Sequence, residues 1–262
     1  MQPLTFVHIS DSHLATDPAW SGPLTDILPR PGAEALVREI AALPMPIDFV
    51  LHTGDVHSDP ERPQDYQQAA DLYRQLRMPV YFLPGNHDRS DWLQRELMGI
   101  HEPAAQADQE FEIGGVQFLL LDSSAPGVDE HYGWLEAEQL DWLAQRCAAD
   151  DPRPLVVALH HNPLSLVVPW LDGIVLRNGE ALHEALLPAR ARLRCVFYGH
   201  IHESILTLRD GIPYQSVRSS WFQTQTWHGQ ADPFKEPLHW PGYNLVTLTE
   251  RDTFVRHCRV RL

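Results

Sequence analysis

Pro79-Val-Tyr-Phe-Leu-Pro-Gly-Asn-His-Asp88 joins an apolar run to three polar residues across a single turn. The β-branched and aromatic residues from Val80 to Leu83 predict a buried strand, and Pro84-Gly85 is typical of the turn that ends one. In open α/β sheets, ligands bind where such strands end. Asn and Asp are also ordinary turn residues that bond their own backbone. This stretch alone therefore favours a turn over a functional site.

Composition limits the fold and the partners of the chain. Its 262 residues suffice for one large α/β domain or two small ones. With 20 basic and 35 acidic residues, the formal net charge is −15, which argues against a nucleic-acid-binding face, so no nucleic-acid polymer is expected as a partner. A phosphorylated small molecule remains compatible, because bound metal ions reverse the local field of an acidic site. Three widely spaced cysteines predict neither a disulfide scaffold nor a thiolate zinc site.

The beginning of the sequence shows no targeting signal. It lacks a charged region followed by a long apolar stretch, and no apolar run reaches the length of a membrane span. These features predict a cytoplasmic location and no membrane span.

Strand-like and helix-like stretches alternate along the first two hundred residues. Compact apolar runs predict six strands buried on both faces: Leu4 to Ile9, Ile47 to His52, Val80 to Leu83, Val116 to Leu121, Leu155 to Leu159 and Cys195 to Tyr198. Apolar residues at threefold and fourfold spacing predict helices between them: Ala33 to Leu43, Asp65 to Leu76, Asp91 to Met98, Glu136 to Ala148 and Glu180 to Ala189. This alternation predicts an α/β fold.

The C-terminal part has strand character instead. Asp210-Gly211 between two strand-like runs predicts a hairpin, and Leu245 to Thr249 with Thr253 to Val260 predicts another. We find no internal repeat and no low-complexity linker. The simplest prediction is a single domain over residues 1–262, in which 203–262 form a strand-rich part.

Residues of metal-ligand type follow five of the six predicted strands. The clusters are Asp11-Ser-His13, Gly54-Asp55, Gly85-Asn-His-Asp88, His160-His-Asn162 and Gly199-His-Ile-His202. Parallel strands joined by helices have their carboxyl ends on the same side, so we expect all five clusters to meet at one shared edge. Each cluster alone is explained by a solvated loop, but five at successive strand ends predict a metal site. The remaining histidines His8, His101, His183, His239 and His257 are interpreted as ordinary ones.

The donors in these clusters suggest which ions they bind. Oxygen and imidazole donors without thiolate suit manganese, iron or zinc. Seven protein donors are too many for one ion with an open position, so the number predicts two ions. Pairs of ions about 3.5–4 Å apart clamp the attacking and leaving oxygens in phosphoryl transfer. One carboxylate has to bridge them, and Asp55, after a strand predicted to be central, is the natural candidate.

Taken in order, these motifs resemble those of the calcineurin-like metallophosphoesterases. The resemblance implies a four-layer α/β/β/α sandwich and a centre of two divalent or trivalent ions of iron, manganese or zinc. It implies two ligand sets that share one aspartate: Asp11, His13, Asp55 and His202 for one ion, and Asp55, Asn86, His160 and His200 for the other.

The same resemblance implies roles beyond metal binding. His87 would be the catalytic residue that faces the substrate, and Asn86 and His161 would contact the substrate with it. Asp88 would brace the turn.

A finer resemblance is to the bacterial class III cyclic nucleotide phosphodiesterases and related glycerophosphodiesterases. It rests on His160-His-Asn-Pro163, Trp170-Leu-Asp-Gly-Ile-Val-Leu-Arg-Asn178 and Pro241-Gly-Tyr-Asn244. It implies hydrolysis of a small phosphodiester, above all 3′,5′-cyclic AMP to 5′-AMP, by a hydroxide that bridges the ions. The protein phosphatases of the superfamily typically have an arginine after this motif, and Gly54-Asp-Val-His-Ser-Asp59 lacks it, which argues against a protein phosphatase. The alternatives left open are a glycerophosphodiester or lipid-headgroup phosphodiesterase, a broad phosphatase, and a non-catalytic metal-bound scaffold.

Two segments lack regular periodicity. Pro163 to Asn178 is interpreted as a loop over the site, with a packed surface loop as an equal alternative. The aromatic segment, Trp221 to Trp240, contains Trp221, Phe222, Trp227, Phe234 and Trp240 and is predicted to serve an interface. Its rings either cover the protein's own sheet or pack against a second subunit in a homodimer.

Overall fold

Two β-sheets pack face to face, and helices cover the outer face of each. The computed structural model describes residues 2–17, 19–22, 25–57, 62, 64–124, 131–236 and 239–262. The strands are β1 (Leu4–Ile9), β2 (Phe49–His52), β3 (Val80–Phe82), β4 (Gln109–Ile113), β5 (Val116–Leu120), β6 (Leu155–Ala158), β7 (Leu193–Tyr198), β8 (Leu206–Arg209), β9 (Ile212–Ser216), β10 (Gly242–Leu248) and β11 (Thr253–Arg259). The predicted four-layer α/β/β/α sandwich is confirmed.

Among the described residues, five helices agree with the predicted ones, with small shifts at their ends, and a further short helix lies in the segment Pro163 to Asn178 that was interpreted as a loop. They are α1 (Pro29–Ala41), α2 (Gln64–Tyr73), α3 (Ser90–Glu96), α4 (Ala137–Ala148), α5 (Pro169–Asp172) and α6 (Gly179–Leu186), which a 3₁₀ turn, Leu187–Ala189, extends. α1 begins four residues before the predicted start, because Pro29 occupies its first turn, where a missing N–H costs nothing.

The order of the strands corrects one expectation. The first sheet has the order β11-β10-β1-β2-β3 and the second β4-β5-β6-β7-β9-β8. β1, β2 and β3 are parallel neighbours in the first sheet, while β6 and β7 are parallel neighbours in the second. The five polar clusters therefore follow strands of two stacked sheets rather than one shared edge.

Aromatic rings fill the space between the sheets. Phe6 of β1 stacks on Phe49 of β2, with ring centroids 4.8 Å apart, and meets Phe118 and Phe197 of the second sheet edge-on at 5.9 and 5.5 Å. All four rings are fully buried. This tight contact holds the two sets of strand ends at a fixed distance from each other.

The C-terminal strands complete both sheets. β10 pairs antiparallel with β1, from Leu4 opposite Leu248 to His8 opposite Asn244. β9 pairs with β7, and Asp210-Gly211 forms the turn of the predicted hairpin with β8. Among the described residues, no helix has the length and apolar character that a membrane span requires.

The segment from Pro163 to Asn178 contributes to the core. Leu164, Val168, Leu171 and Leu176 are buried in the cluster between the second sheet and its helices. Its interpretation as a loop rather than a core element is therefore wrong for these side chains, although the backbone carbonyl of Ile174 reaches the site described below.

Candidate metal centre

The nine predicted site residues lie together where strands of the two sheets end. From the first sheet come Asp11, His13, Asp55, Asn86 and His87; from the second come His160, His161, His200 and His202. Their carboxylate and imidazole atoms form overlapping groups whose members lie within 4.8 Å of one another. The predicted convergence is confirmed, although it joins two sheets.

Five of these residues have a left-handed backbone. The φ angles are 57° at Asp11, 42° at His13, 52° at Asp55, 69° at His200 and 52° at His202. Residues other than glycine rarely adopt this conformation, and each instance costs on the order of 1 kcal/mol or more. The five residues belong to the clusters that follow β1, β2 and β7, where the backbone bends sharply as it leaves the strand. Strain concentrated at one spot is typical of a functional site.

The first donor group consists of Asp11, His13 and His202, with Asp55 at its side. His13 Nε2 lies 3.3 Å from His202 Nε2, and His202 Nε2 lies 3.4 Å from Asp11 Oδ1. Asp55 Oδ2 is 3.5 Å from His13 Nε2. Ligands about 2.1 Å from one ion and roughly at right angles to each other lie about 3 Å apart. These spacings fit the ligand shell of one metal ion.

The second donor group consists of His160, Asn86 and His200, with the same oxygen of Asp55. His160 Nε2 lies 3.3 Å from Asp55 Oδ2, 3.2 Å from Asn86 Oδ1 and 3.2 Å from His200 Nδ1. Asp55 Oδ2 thus lies between the two groups, at the position that a bridging carboxylate requires.

Backbone carbonyls orient three of the four histidines in the two donor groups. His160 Nδ1 lies 2.7 Å from the carbonyl of Thr53, His200 Nε2 lies 3.1 Å from that of Ile174, and His202 Nδ1 lies 2.9 Å from that of Phe222. A ring nitrogen that donates to a carbonyl leaves the other nitrogen with a lone pair, which here points into the cluster. Metal-ligating histidines are held in this way, so the donors fit a metal centre.

The charges of the site also suit cation binding. Burial lowers the pKa of His13, and burial together with His160 lowers that of His200 to about 3, so both rings stay neutral. Burial acts to lower the pKa of His160, but the neighbouring carboxylate of Asp55 raises it to about 9. Burial likewise opposes the ionisation of Asp55, but His160 holds its pKa well below the usual range. This pair holds a proton that a bound cation would displace.

His87 lies at the edge of the first donor group. Its backbone N–H donates to Asp55 Oδ1 at 2.9 Å, and its half-buried ring has its centroid 4.9 Å from that of His13. The exposed ring of His131 is 5.8 Å from that of His87, with His131 Nδ1 3.3 Å from Asn86 Nδ2. His131 was not predicted from the sequence, because a single histidine outside the five clusters carries no spacing signal.

His161 is fully buried rather than exposed at the opening of the site. Its Nδ1 lies 2.8 Å from Ser123 Oγ, and its ring centroid is 4.7 Å from that of His200. Its Nε2 is buried without a hydrogen-bond partner among the described residues. Contact with the substrate stays a prediction for this residue.

Hydrogen bonds to the carboxylate of Asp88 link the turns that follow β2 and β3. Its carboxylate accepts hydrogen bonds from the backbone N–H of Gly85 at 2.8 Å and of Val56 at 3.1 Å, and from the hydroxyl of Tyr66 at 3.2 Å. These contacts fit the bracing role that was expected. They hold Asp55 and Asn86 at a fixed separation.

The start of the aromatic segment packs against the site. Trp221 and Phe222 are 4% and 5% exposed. The ring centroid of Trp221 is 4.8 Å from that of His13, and that of Phe222 is 4.4 Å from that of His202. These two residues cover the protein's own site, a contact that the sequence did not predict because it joins residues far apart in the chain.

Comparison with known proteins relates the chain to phosphoesterases. A family model described as calcineurin-like phosphoesterase matches residues 4–204. A 3′,5′-cyclic adenosine monophosphate phosphodiesterase of Pseudomonas aeruginosa is 34% identical over 242 residues, 92% of this chain and 84% of that protein. A 3′,5′-cyclic-nucleotide phosphodiesterase of Nostoc is 30% identical over 247 residues, 94% of this chain and 88% of that protein.

Solved structures share the fold at low sequence identity. A dimetal phosphatase from Danio rerio has a TM-score of 0.70 at 17% identity, covering 99% of this chain and 96% of that one. A purple acid phosphatase from yellow lupin has a TM-score of 0.69 at 14% identity, covering 98% of this chain and 52% of that one.

Proposed function

This chain belongs to the calcineurin-like phosphoesterase family, and from that premise we propose that it is a metal-dependent phosphodiesterase that hydrolyses 3′,5′-cyclic AMP to 5′-AMP. The observation that carries the proposal is the pair of donor groups sharing Asp55 Oδ2. Support for the substrate comes from relatives over most of the chain, which are named cyclic nucleotide phosphodiesterases.

The proposed ligands are those implied by the sequence. We assign Asp11, His13, Asp55 and His202 to one ion and Asp55, Asn86, His160 and His200 to the other, with iron, manganese or zinc as the metals. When bound, two such ions neutralise the charge of the phosphodiester and supply a hydroxide at neutral pH. The carbonyls behind His160, His200 and His202 fix the ring orientations that this requires.

His87 is proposed to act on the substrate itself. It follows Asn86 directly, and the hydrogen bond from its backbone to Asp55 holds it beside the shared carboxylate. From there its imidazole donates a proton to the 3′ oxygen as that oxygen leaves phosphorus, which yields the 5′ monophosphate. Asn86 and His161 are proposed to contact the same substrate.

A substrate panel tests the proposed activity. We expect the metal-loaded protein to hydrolyse 3′,5′-cyclic AMP with a higher kcat/KM than glycerophosphocholine, glycerophosphoethanolamine or p-nitrophenyl phosphate, at equal concentrations. Phosphorus NMR of the product should show 5′-AMP alone. Faster hydrolysis of a glycerophosphodiester would assign the enzyme to lipid headgroups, and faster hydrolysis of the monoester would make it a phosphatase. Absence of turnover on all four would support the scaffold alternative.

A second copy of the chain is the proposed partner of the remaining aromatic segment. Trp227 is 53% exposed and Phe234 42% exposed, and their ring centroids lie 5.9 Å apart. We expect light scattering to give a dimer for the wild type and a monomer for Trp227→Ala, because loss of an exposed aromatic anchor weakens an interface. Trp134→Ala, which removes a tryptophan that is 37% exposed outside this segment, should remain dimeric. A monomeric wild type would contradict the proposal.

We also propose that residues 1–262 form one metallophosphoesterase domain. The pairing of β10 with β1 and of β9 with β7 supports this, because the strand-rich C-terminal part is built into both sheets. A cytoplasmic location stays a prediction from the sequence.

A further inference from the structure

Two tryptophans in ring contact lie beside the candidate metal centre. The ring of Trp221 contacts that of His13. It also contacts the ring of Trp20: the two ring centroids lie 5.3 Å apart, and the ring planes are inclined by 36°. The two ring distances put Trp20 within about 10 Å of the His13 ring. Trp221 is buried, whereas Trp20 is only half-buried and keeps part of its surface exposed. An indole surface is therefore presented next to a site built for phosphate.

Several contacts hold Trp20 in this place. The indole N–H of Trp221 donates to the carbonyl of Ile27 at 2.7 Å, which ties the loop before α1 to Trp221. Asp17 accepts hydrogen bonds from the backbone N–H of Ala19 and of Trp20, at 2.9 and 3.1 Å, in a turn that fixes Trp20 itself. Trp20 is thus a positioned side chain rather than a loose surface residue.

Gly22 allows the loop to close over the two rings. Its φ is +70°, and a Cβ there would lie 2.8 Å from Trp221 Cη2 and 3.0 Å from Trp20 Cη2. A larger residue would be strained and would push the indoles apart. The close approach of the two rings depends on this glycine.

We propose that Trp20 is the platform on which the base of a nucleotide substrate stacks. This inference rests on the proposed function, because it needs a substrate whose phosphate lies at the metal centre. One ribose ring separates the phosphate of a nucleotide from its base, so a base reaches a surface just beside the metal site. Every base has a π-face, and stacking on an aromatic side chain requires no further polar contact.

The polar side of the site is formed by the residues that follow β3 and by His131. Asn86, His87 and His131 line that side with polar groups, which suit phosphate and ribose oxygens rather than a base face. Trp20, next to Trp221, offers a half-exposed indole surface. The base is therefore directed toward the loop before α1.

The test compares two ligands that differ only in the base. Binding of 5′-AMP and of ribose 5-phosphate to the metal-loaded protein is measured by calorimetry, with phosphate release checked in parallel. Stacking of one base corresponds to an affinity ratio of about 5- to 150-fold. We expect the wild type to prefer 5′-AMP by a factor in this range, Trp20→Ala to bind the two ligands within about twofold, and Trp20→Phe to keep most of the preference.

Two further variants separate stacking from general damage. Gly22→Ala, which displaces the indole without removing it, should reduce the preference, and Trp142→Ala, in α4 and packed against the core of the second sheet, should leave it unchanged. A full preference in Trp20→Ala, or no preference in the wild type, would overturn the inference. The proposed activity is judged separately, by hydrolysis of cyclic AMP by the wild type. If that hydrolysis is observed, the activity stands even when the stacking inference fails. If it is absent, the activity is refuted whatever the binding ratio.

Discussion

Replacement of Asp55 with alanine is expected to remove bound metal and phosphodiesterase activity together. Its Oδ2 lies 3.5 Å from His13 Nε2 and 3.3 Å from His160 Nε2, so both donor groups lose their shared oxygen in Asp55→Ala. We expect kcat to fall by about 10³-fold or more, at least as much as loss of a single charge-stabilising group costs. Elemental analysis of the purified protein should show less than one ion per chain.

Two other variants serve as comparisons for Asp55→Ala. Asp210→Ala also removes an aspartate with a left-handed backbone, φ 51°, but from an exposed hairpin, and should keep metal and activity. His87→Ala should keep both ions while kcat falls by about 10²-fold, as for loss of a general acid. Since His87 lies within 4.8 Å of the donor atoms of His13 and Asp55, loss of metal from His87→Ala would make it a ligand instead.

Replacement of Asp88 with alanine is expected to destabilise the fold more than loss of any surface charge. The variant leaves the backbone N–H of Gly85 and of Val56 and the buried hydroxyl of Tyr66 without their acceptor. Each unsatisfied buried group costs about 1–3 kcal/mol. We expect a total loss of about 3–5 kcal/mol and a fall in Tm of roughly 10 °C, measured on metal-free proteins so that loss of ions adds nothing.

Asp91→Ala is the matched control for Asp88→Ala. Asp91 is three residues further along, and its carboxylate pairs with Arg89 and Arg95 at the surface. Such pairs contribute at most about 1 kcal/mol, so its Tm should change by no more than a few degrees. Equal Tm values for the two variants would contradict the bracing role of Asp88.

Local signals made most of the metal centre predictable from the sequence. An apolar run that ends in Asp, Asn or His indicates both the strand and the group at its end, and β1, β2, β3, β6 and β7 all show this pattern. The partition of these strands between two sheets was not predictable from the runs, because parallel strands in one sheet or in two have the same apolar character. It depends on contacts such as Phe6 with Phe118, which join distant parts of the chain.

The missed elements had weak local signals. β4 alternates polar and apolar residues, Gln109-Glu-Phe-Glu-Ile113, at the edge of its sheet, and a search for continuous apolar runs passes over it. The neighbours of the proposed metal ligands were missed for another reason. Trp20 and Trp221 lie about two hundred positions apart in the chain, and no periodicity relates them.

The pairing of β1 with β10 has a consequence for protein synthesis. β2, the neighbour of β1 on one side, ends at residue 52, whereas the neighbour on the other side spans residues 242–248, beyond the part that the family model matches. Until β10 has been made, the chain has an open strand edge, which can pair with other chains. Since β1 leads directly to Asp11, the strand that carries this residue of the candidate metal centre keeps an open edge until β10 pairs with it.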